Sequence, residues 1–120
     1  MNQNVAGIVF GASDYPHAPD LTINSIRNSA HGVIDYLKDT FKDIFIINLF
    51  NKDIKSRDDI VNSIIDYCGQ ESLPEDIIIF YVGHGIDIDN KIIYLSTRLT
   101  DMKYRTTTSI NFKELAWELK

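Results

Sequence analysis

The stretch that decides the fold runs from Asp76 to Gly85 and reads Asp-Ile-Ile-Ile-Phe-Tyr-Val-Gly-His-Gly. Its six consecutive apolar residues, Ile77 to Val82, are β-branched or aromatic, a composition typical of β-strands. Because no polar residue interrupts this run, neither face of the strand is expected to contact water, and the pattern predicts a central strand covered on both faces. Strands of this kind belong to parallel sheets, so the α/β class is the first expectation.

The strand ends in Gly83-His84-Gly85, where candidate chemistry begins. Two glycines let the backbone turn sharply, and they flank an imidazole, the side chain that enzymes use most often as a general acid or base. In open α/β sheets, catalytic groups gather at the carboxyl ends of the strands, which is where His84 falls. A Gly-His-Gly triplet alone is a weak motif, but this position favours His84 as a general base and the unhindered Gly85 amide as an oxyanion donor.

Length, charge and cysteine content limit what the chain can be. Its 120 residues, 44% of them hydrophobic, suffice for one domain with a core and are too few for two. The 12 basic and 17 acidic residues give a net charge of -5 without a basic cluster, which disfavours nucleic acid as a partner. No apolar run reaches the length of a membrane span and no basic leader opens the chain, so we expect a cytoplasmic protein with no membrane partner. A single cysteine, Cys68, excludes an intrachain disulfide and fits a reducing compartment.

The hydrophobic pattern along the chain predicts alternating strands and helices. Strand, helix, strand, helix, strand gives two βαβ crossovers and therefore a parallel core. The predicted elements in order are a strand over Val5 to Phe10, a loop over Gly11 to Asp20, a helix capped by Thr22 and reaching Phe41, a strand over Ile44 to Leu49, a helix capped by Ser56 and stopped by Gly69, the strand over Ile77 to Val82, a turn over Ile86 to Asn90, a strand over Lys91 to Leu95, and a third helix capped by Asn111.

Three segments together resemble the amino-terminal half of the caspase-like cysteine peptidases, and most closely the bacterial and metacaspase-type members. They are Val-Ala-Gly-Ile-Val-Phe-Gly-Ala-Ser-Asp-Tyr at 5–15, Ile-Arg-Asn-Ser-Ala at 26–30, and the 76–85 stretch with the Ile-Ile-Tyr-Leu that follows it at 92–95. The resemblance covers essentially all 120 residues in the same order, and the Gly-His-Gly strand is its most specific part. It implies a single caspase-like domain, a three-layer α/β/α sandwich with a mostly parallel sheet that is incomplete at the carboxyl terminus.

The resemblance also assigns chemical roles. It makes His84 the dyad histidine of a cysteine endopeptidase and the Gly85 amide one of the oxyanion donors. In caspases the histidine lies roughly 50 residues before the cysteine, which places the expected nucleophile beyond residue 120. Cys68 lies on the apolar side of the second predicted helix and is expected to be a buried structural thiol. The chain alone is therefore expected to be inactive. Its implied partners are a protein or peptide substrate and the carboxyl-terminal remainder of the same protein or a cleaved partner chain, and no cofactor is implied.

Two further positions bear on substrate binding. Metacaspases, which the chain resembles, carry an aspartate in an Asn-Asp-Ala motif of the first helix, and it helps to form an acidic pocket for Arg or Lys. The matching residue here is Ser29, and Val82 stands two residues before the histidine, where a small polar residue is frequent. Ser29 and Val82 are the expected substrate-binding positions, and this pocket would lack the carboxylate that pairs with a basic side chain.

Other functions remain open on the sequence. A non-catalytic pseudo-peptidase of the same fold, serving as an interaction or scaffold module, fits the same residues. Asp87, Asp89 and Asn90 faintly resemble a calcium loop, but the required glycine and bidentate glutamate are missing, so no metal site is expected. A phospho-acceptor receiver domain is disfavoured, because its third strand would end in an aspartate.

Overall fold

A computed structural model of the chain describes residues 5–68, 74–88 and 91–118. Within these ranges, no helix is long and apolar enough to cross a membrane. The strands and α-helices in chain order are β1 Val5–Gly11, α1 Ser25–Thr40, β2 Phe45–Phe50, α2 Arg57–Cys68, β3 Asp76–Val82, β4 Gly85–Ile88, β5 Ile92–Leu95, β6 Ile110–Asn111 and α3 Phe112–Glu118.

The strands form two sheets of different kinds. The first has the order β2-β1-β3 with all neighbours parallel, which confirms the predicted parallel α/β core. The second has the order β4-β5-β6 with antiparallel neighbours, and the sequence predicted its strand β5, with a partner at Leu99 or beyond, but not β4. The chain passes from the first sheet to the second directly after β3, so the Gly-His-Gly segment lies at the junction between them.

Strand β1 is the most deeply buried element, because it has a strand on each side and packed side chains on both faces. Its Ile8 and Phe10 side chains are fully buried in one apolar cluster with residues of β2, α2, β5, β6 and α3. Gly7 points to the opposite face, where a Cβ would lie 3.3 Å from Leu37 Cδ1 of α1. The two faces of β1 are therefore covered by different helices, as a βαβ crossover on each side requires.

The predicted central position of Ile77 to Val82 is wrong for the part of the sheet that the structure describes. In this part β3 is an outer strand, and Ile77 and Phe80 remain 36% and 37% exposed. A continuous apolar run indicates a strand that the fold covers to some degree, but it does not give the strand's place in the sheet. The central strand is β1, although Gly7 interrupts its apolar run.

The outer edge of β2 differs from that of β3. The Asn48 side-chain Oδ1 accepts a hydrogen bond from the backbone N–H of Phe50 at 3.0 Å. The next residue, Asn51, donates its N–H to the Gly11 carbonyl of β1. Because successive residues of a strand point their N–H groups to opposite sides, the Phe50 N–H points away from β1, toward the outer edge of β2. One outward donor of β2 is thus satisfied by a side chain of the same strand.

Two predictions about local structure are also wrong. Thr22 does not cap α1, because this helix begins at Ser25, after Asn24. The Thr22 Oγ1 instead accepts the Tyr15 N–H at 3.1 Å. The segment predicted as a turn from Ile86 forms β4, since its alternation of exposed and covered residues suits a strand that pairs with β5. Residues 89 and 90 of that predicted turn, and the Gly69 helix stop, lie outside the described ranges.

Two predicted helix caps are confirmed. Ser56 Oγ accepts the Asp58 N–H at 3.3 Å at the start of α2. Asn111 Oδ1 accepts the N–H groups of Lys113 at 3.0 Å and Glu114 at 3.2 Å at the start of α3. Both contacts satisfy amide donors that have no partner within the helix.

Candidate functional site

His84 lies directly beyond the carboxyl end of β3, at an edge where all three parallel strands finish together. Gly11 of β1 is level with Phe50 of β2 and with Val82 of β3. The loop that leaves β1 therefore passes close to the segment that leaves β3. This convergence, rather than any local motif, brings Tyr15 to His84.

Three hydroxyl groups surround the backbone of His84, and we refer to Tyr15, Tyr81 and Ser96 as the hydroxyl cluster. Tyr15 Oη accepts the His84 N–H at 3.1 Å and lies 2.8 Å from Ser96 Oγ. Ser96 Oγ donates to the His84 carbonyl, as does the Ser96 N–H at 3.2 Å. Tyr81 Oη lies 2.9 Å from the same carbonyl and 2.7 Å from the Ser96 carbonyl.

One assignment of the hydroxyl protons satisfies every group in the cluster. The His84 N–H donates to Tyr15, the Tyr15 hydroxyl donates to Ser96 Oγ, and the Ser96 hydroxyl donates to the His84 carbonyl. The Tyr81 hydroxyl then donates to the Ser96 carbonyl. Burial raises the pKa of the Tyr81 phenol, and the nearby Tyr15 raises it further. The Tyr81 hydroxyl therefore stays protonated and can donate a hydrogen bond. The result is a closed cycle that starts and ends on the His84 backbone, in which each bond polarises the next.

The imidazole is less completely satisfied than the backbone that carries it. Its ring centroid lies 5.6 Å from that of Tyr15, with the two planes inclined at 59°. Its Nε2 atom is buried and has no hydrogen-bond partner within the described residues. Because buried polar atoms nearly always have a partner, Nε2 stands out as the atom of His84 whose hydrogen-bonding capacity is unused among the described residues.

The two glycines beside His84 serve different purposes. A Cβ on Gly83 would lie 2.7 Å from Tyr81 Oη and 2.9 Å from Tyr15 Oη, so its absence lets both hydroxyls approach the backbone. Gly85 is exposed and pairs with Leu95. Since the neighbouring bond joins the Ser96 N–H to the His84 carbonyl, this is a non-hydrogen-bonded pair, and the Gly85 N–H points away from β5. That amide is placed to donate to a group outside the sheet.

Asn51 holds the loop that carries Tyr15, and sequence reasoning missed it. Its backbone has φ 57, in the left-handed region that asparagine tolerates better than most residues. Its Oδ1 accepts the Ser13 N–H at 2.9 Å, and its Nδ2 donates to Ser13 Oγ at 3.1 Å. Asn51 lies two residues after the predicted strand, where asparagine is typical of a turn, but no local pattern indicates its bond to Ser13, 38 positions away in the chain.

We expect Asn51→Ala to lower the free energy of unfolding by about 2 kcal/mol, because it removes the bonds to Ser13 and leaves an unfavourable φ. Asn51→Gly removes the same bonds but tolerates the backbone, so its cost is expected to be smaller by about 1 kcal/mol. Urea denaturation of both variants measures the difference. Equal costs would show that the backbone conformation at this position does not contribute.

The structure does not link the two predicted substrate-binding positions to His84. Ser29 is exposed on α1, and within the described ranges it makes no hydrogen bond to His84. Val82 is half-buried, and its carbonyl accepts the Ala12 N–H at 3.1 Å, which ties the end of β3 to the start of the β1 loop. Their role in substrate binding stays a prediction.

Cys68 lies at the opposite edge of the parallel sheet. Its neighbour Tyr67 packs on Phe45, the first residue of β2, with ring centroids 5.9 Å apart. At about 3.3 Å per residue, the length of β3 separates that edge from His84 by roughly 20 Å. The end of α2 therefore lies far from the sheet edge that carries His84. The Cys68 side chain lies outside the described atoms, and its burial stays a prediction.

Among the described residues, no group of three or more His, Cys, Asp and Glu side chains is arranged to hold a metal ion. Comparison with known proteins does not add an assignment. No family model matches the chain, and no curated protein and no solved structure matches it. The functional assignment thus depends on the geometry around His84 and on the residues quoted above.

Proposed function

We propose that this chain is the histidine-bearing part of a caspase-like cysteine endopeptidase. The observation that carries the proposal is the His84 imidazole, whose backbone is fixed at both its N–H and its C=O while its buried Nε2 has no partner among the described residues. A general base must be held rigidly and must have a ring nitrogen that is not already used in another hydrogen bond, and His84 meets both conditions among the described residues. The nucleophile would be a cysteine beyond residue 120.

The chemistry assigned to His84 has two proton transfers. The imidazole takes the proton of the cysteine thiol, and the thiolate forms a bond to the carbonyl carbon of the scissile peptide. The oxyanion that results would accept hydrogen bonds from the Gly85 N–H and from the amide of the nucleophile. When the carbon–nitrogen bond breaks, the imidazolium returns its proton to the leaving amine, and water later hydrolyses the thioester.

The fold proposed with this function is a three-layer α/β/α sandwich of the caspase-like type. It is supported by the opposite orientations of Gly7 and Ile8 on β1, the first toward Leu37 of α1 and the second toward Ile60 of α2. The outer position of β3 also supports it, since a further strand can pair there. A strand in that place would end at the same sheet edge as His84.

His84→Ala in the full-length protein is the experiment that tests the function. We expect peptide cleavage to fall by about 10³-fold, because both proton transfers lose their carrier, while circular dichroism and the thermal transition stay close to those of the wild type. His31→Ala is the matched control, since His31 is exposed on α1 and its loss is expected to leave cleavage unchanged. Cleavage that survives His84→Ala would remove this residue from the mechanism.

The pseudo-peptidase alternative differs from the peptidase in one feature of the full-length protein. A peptidase requires a cysteine shortly after residue 120, at the end of a further apolar strand, and a scaffold module does not. A reading frame that continues without such a cysteine would favour the scaffold. If the cysteine is present, the His84→Ala measurement decides.

A further inference from the structure

We propose that Tyr15 is the positioning residue of the catalytic histidine, which rests on the proposed function of His84. Its hydroxyl is the acceptor for the His84 N–H, and its ring lies against the imidazole with centroids 5.6 Å apart. It is therefore the only member of the hydroxyl cluster for which the structure records contact with both the backbone and the ring of His84 within the described ranges.

The hydrogen-bond pattern separates Tyr15 from the neighbouring Tyr81. Without the Tyr81 hydroxyl, the His84 carbonyl still accepts from Ser96 Oγ and from the Ser96 N–H, and the His84 N–H still donates to Tyr15. Without the Tyr15 hydroxyl, the His84 N–H has no acceptor in the cluster. Two tyrosines at one site thus have unequal effects on the histidine.

Tyr15 is itself held firmly, as a positioning residue requires. Its side chain is fully buried, its N–H donates to Thr22 Oγ1 at 3.1 Å, and its carbonyl accepts the Ala18 N–H at 3.1 Å. None of these contacts involves the segment from β3 to β4. Tyr15 therefore holds His84 from a different segment of the chain, the loop that leaves β1.

The far side of the cycle is equally constrained. Ser96 is fully buried and follows β5 directly. Its neighbour Thr97 donates through Oγ1 to the Ile54 carbonyl at 3.2 Å, and the Thr97 N–H donates to Thr100 Oγ1 at 2.8 Å. The His84 backbone is thus hydrogen-bonded to two segments, the loop after β1 and the segment after β5. The Tyr15 hydroxyl links these two segments through its bond to Ser96 Oγ.

The test compares Tyr15→Phe with Tyr81→Phe in the full-length protein, each of which removes one hydroxyl from the same cluster. In Tyr15→Phe we expect amide hydrogen exchange at His84 to accelerate by more than about tenfold, and the imidazole carbon resonances to shift or broaden. In Tyr81→Phe these signals are expected to stay near their wild-type values. Tyr36→Phe, at an exposed position on α1, is the neutral control.

Cleavage kinetics give the second measurement. If His84 is displaced by the loss of Tyr15, kcat is expected to fall by about 10²-fold with little change in KM, since small misplacements of a catalytic group have effects of this size. Tyr81→Phe is expected to reduce kcat much less. A variant that merely lowers stability would not change the His84 resonances below its unfolding transition.

The outcomes separate this proposal from the one on which it rests. If Tyr15→Phe and Tyr81→Phe perturb the His84 signals equally, or if Tyr15→Phe leaves them unchanged, the positioning role is wrong. If the wild-type protein does not cleave peptides but Tyr15→Phe alone perturbs His84, Tyr15 positions the histidine and the peptidase function is wrong. The resonance measurement needs no activity, so the two proposals fail by different observations.

Discussion

Gly11→Ala is expected to prevent folding, or to lower the free energy of unfolding by more than about 4 kcal/mol. A Cβ at this position would lie 1.9 Å from the Val82 carbonyl oxygen, far inside van der Waals contact. That oxygen belongs to β3 and accepts the Ala12 N–H, so it cannot move without breaking the join between two strands. The backbone at Gly11 also has φ 128, which L-amino acids rarely adopt.

Gly32→Ala is the matched control for this substitution. Gly32 lies within α1, and a Cβ there would meet nothing within 4 Å. Because alanine is the better helix former, this variant is expected to gain about 1 kcal/mol. Denaturant unfolding of both variants measures the contrast. A Gly11→Ala protein with wild-type stability would show that the end of β1 does not approach Val82 as closely as the structure describes.

Phe10→Ala is expected to lower the free energy of unfolding by about 3 to 5 kcal/mol. The ring is fully buried in the cluster that joins β1 to α2 and α3, and its removal leaves a cavity at the centre of the fold. The Phe10 ring centroid lies 5.1 Å from that of Tyr81, so the substitution also removes a packing contact of one member of the hydroxyl cluster. We therefore expect the His84 resonances to change in this variant as well.

Phe112→Ala provides the comparison for Phe10→Ala, since the Phe112 side chain on α3 is 52% exposed. Its effect on the free energy of unfolding is expected to be below about 1 kcal/mol, because little apolar contact is lost. Thermal or urea unfolding of the pair measures the difference. Equal costs for the two phenylalanines would mean that β1 is not the centre of the core.

The strands and helices of the parallel core were predictable because local patterns specify them. Apolar runs mark β1, β2 and β3, and the Ser56 and Asn111 caps follow from side chains that bond amides two or three residues away. The order of the strands was not predictable in this way. It depends on which apolar runs pair, and in the part of the sheet that the structure describes, β3 with its longer run is outer while β1 with its glycine is central.

The candidate site was predictable only in part, for the same reason. His84 and Gly85 were selected as candidates because a strand end followed by glycines is a local signal, and their chemical roles stay a prediction. The Tyr15–Ser96 and Tyr15–His84 hydrogen bonds span 81 and 69 positions along the chain, and the Asn51–Ser13 bond spans 38. No local pattern indicates such contacts, because they depend on strands finishing at one edge of the sheet.

The side chain of Asn48 has a consequence for how molecules of this protein meet in solution. Because Asn48 Oδ1 accepts the Phe50 N–H, one backbone donor at the outer edge of β2 is no longer free to pair with a strand of another molecule. At the outer edge of β3, the partly exposed side chains of Ile77 and Phe80 present apolar surface beside the backbone. If copies of this protein add strands to the sheet during refolding at high concentration, we expect them to pair with β3 more readily than with β2.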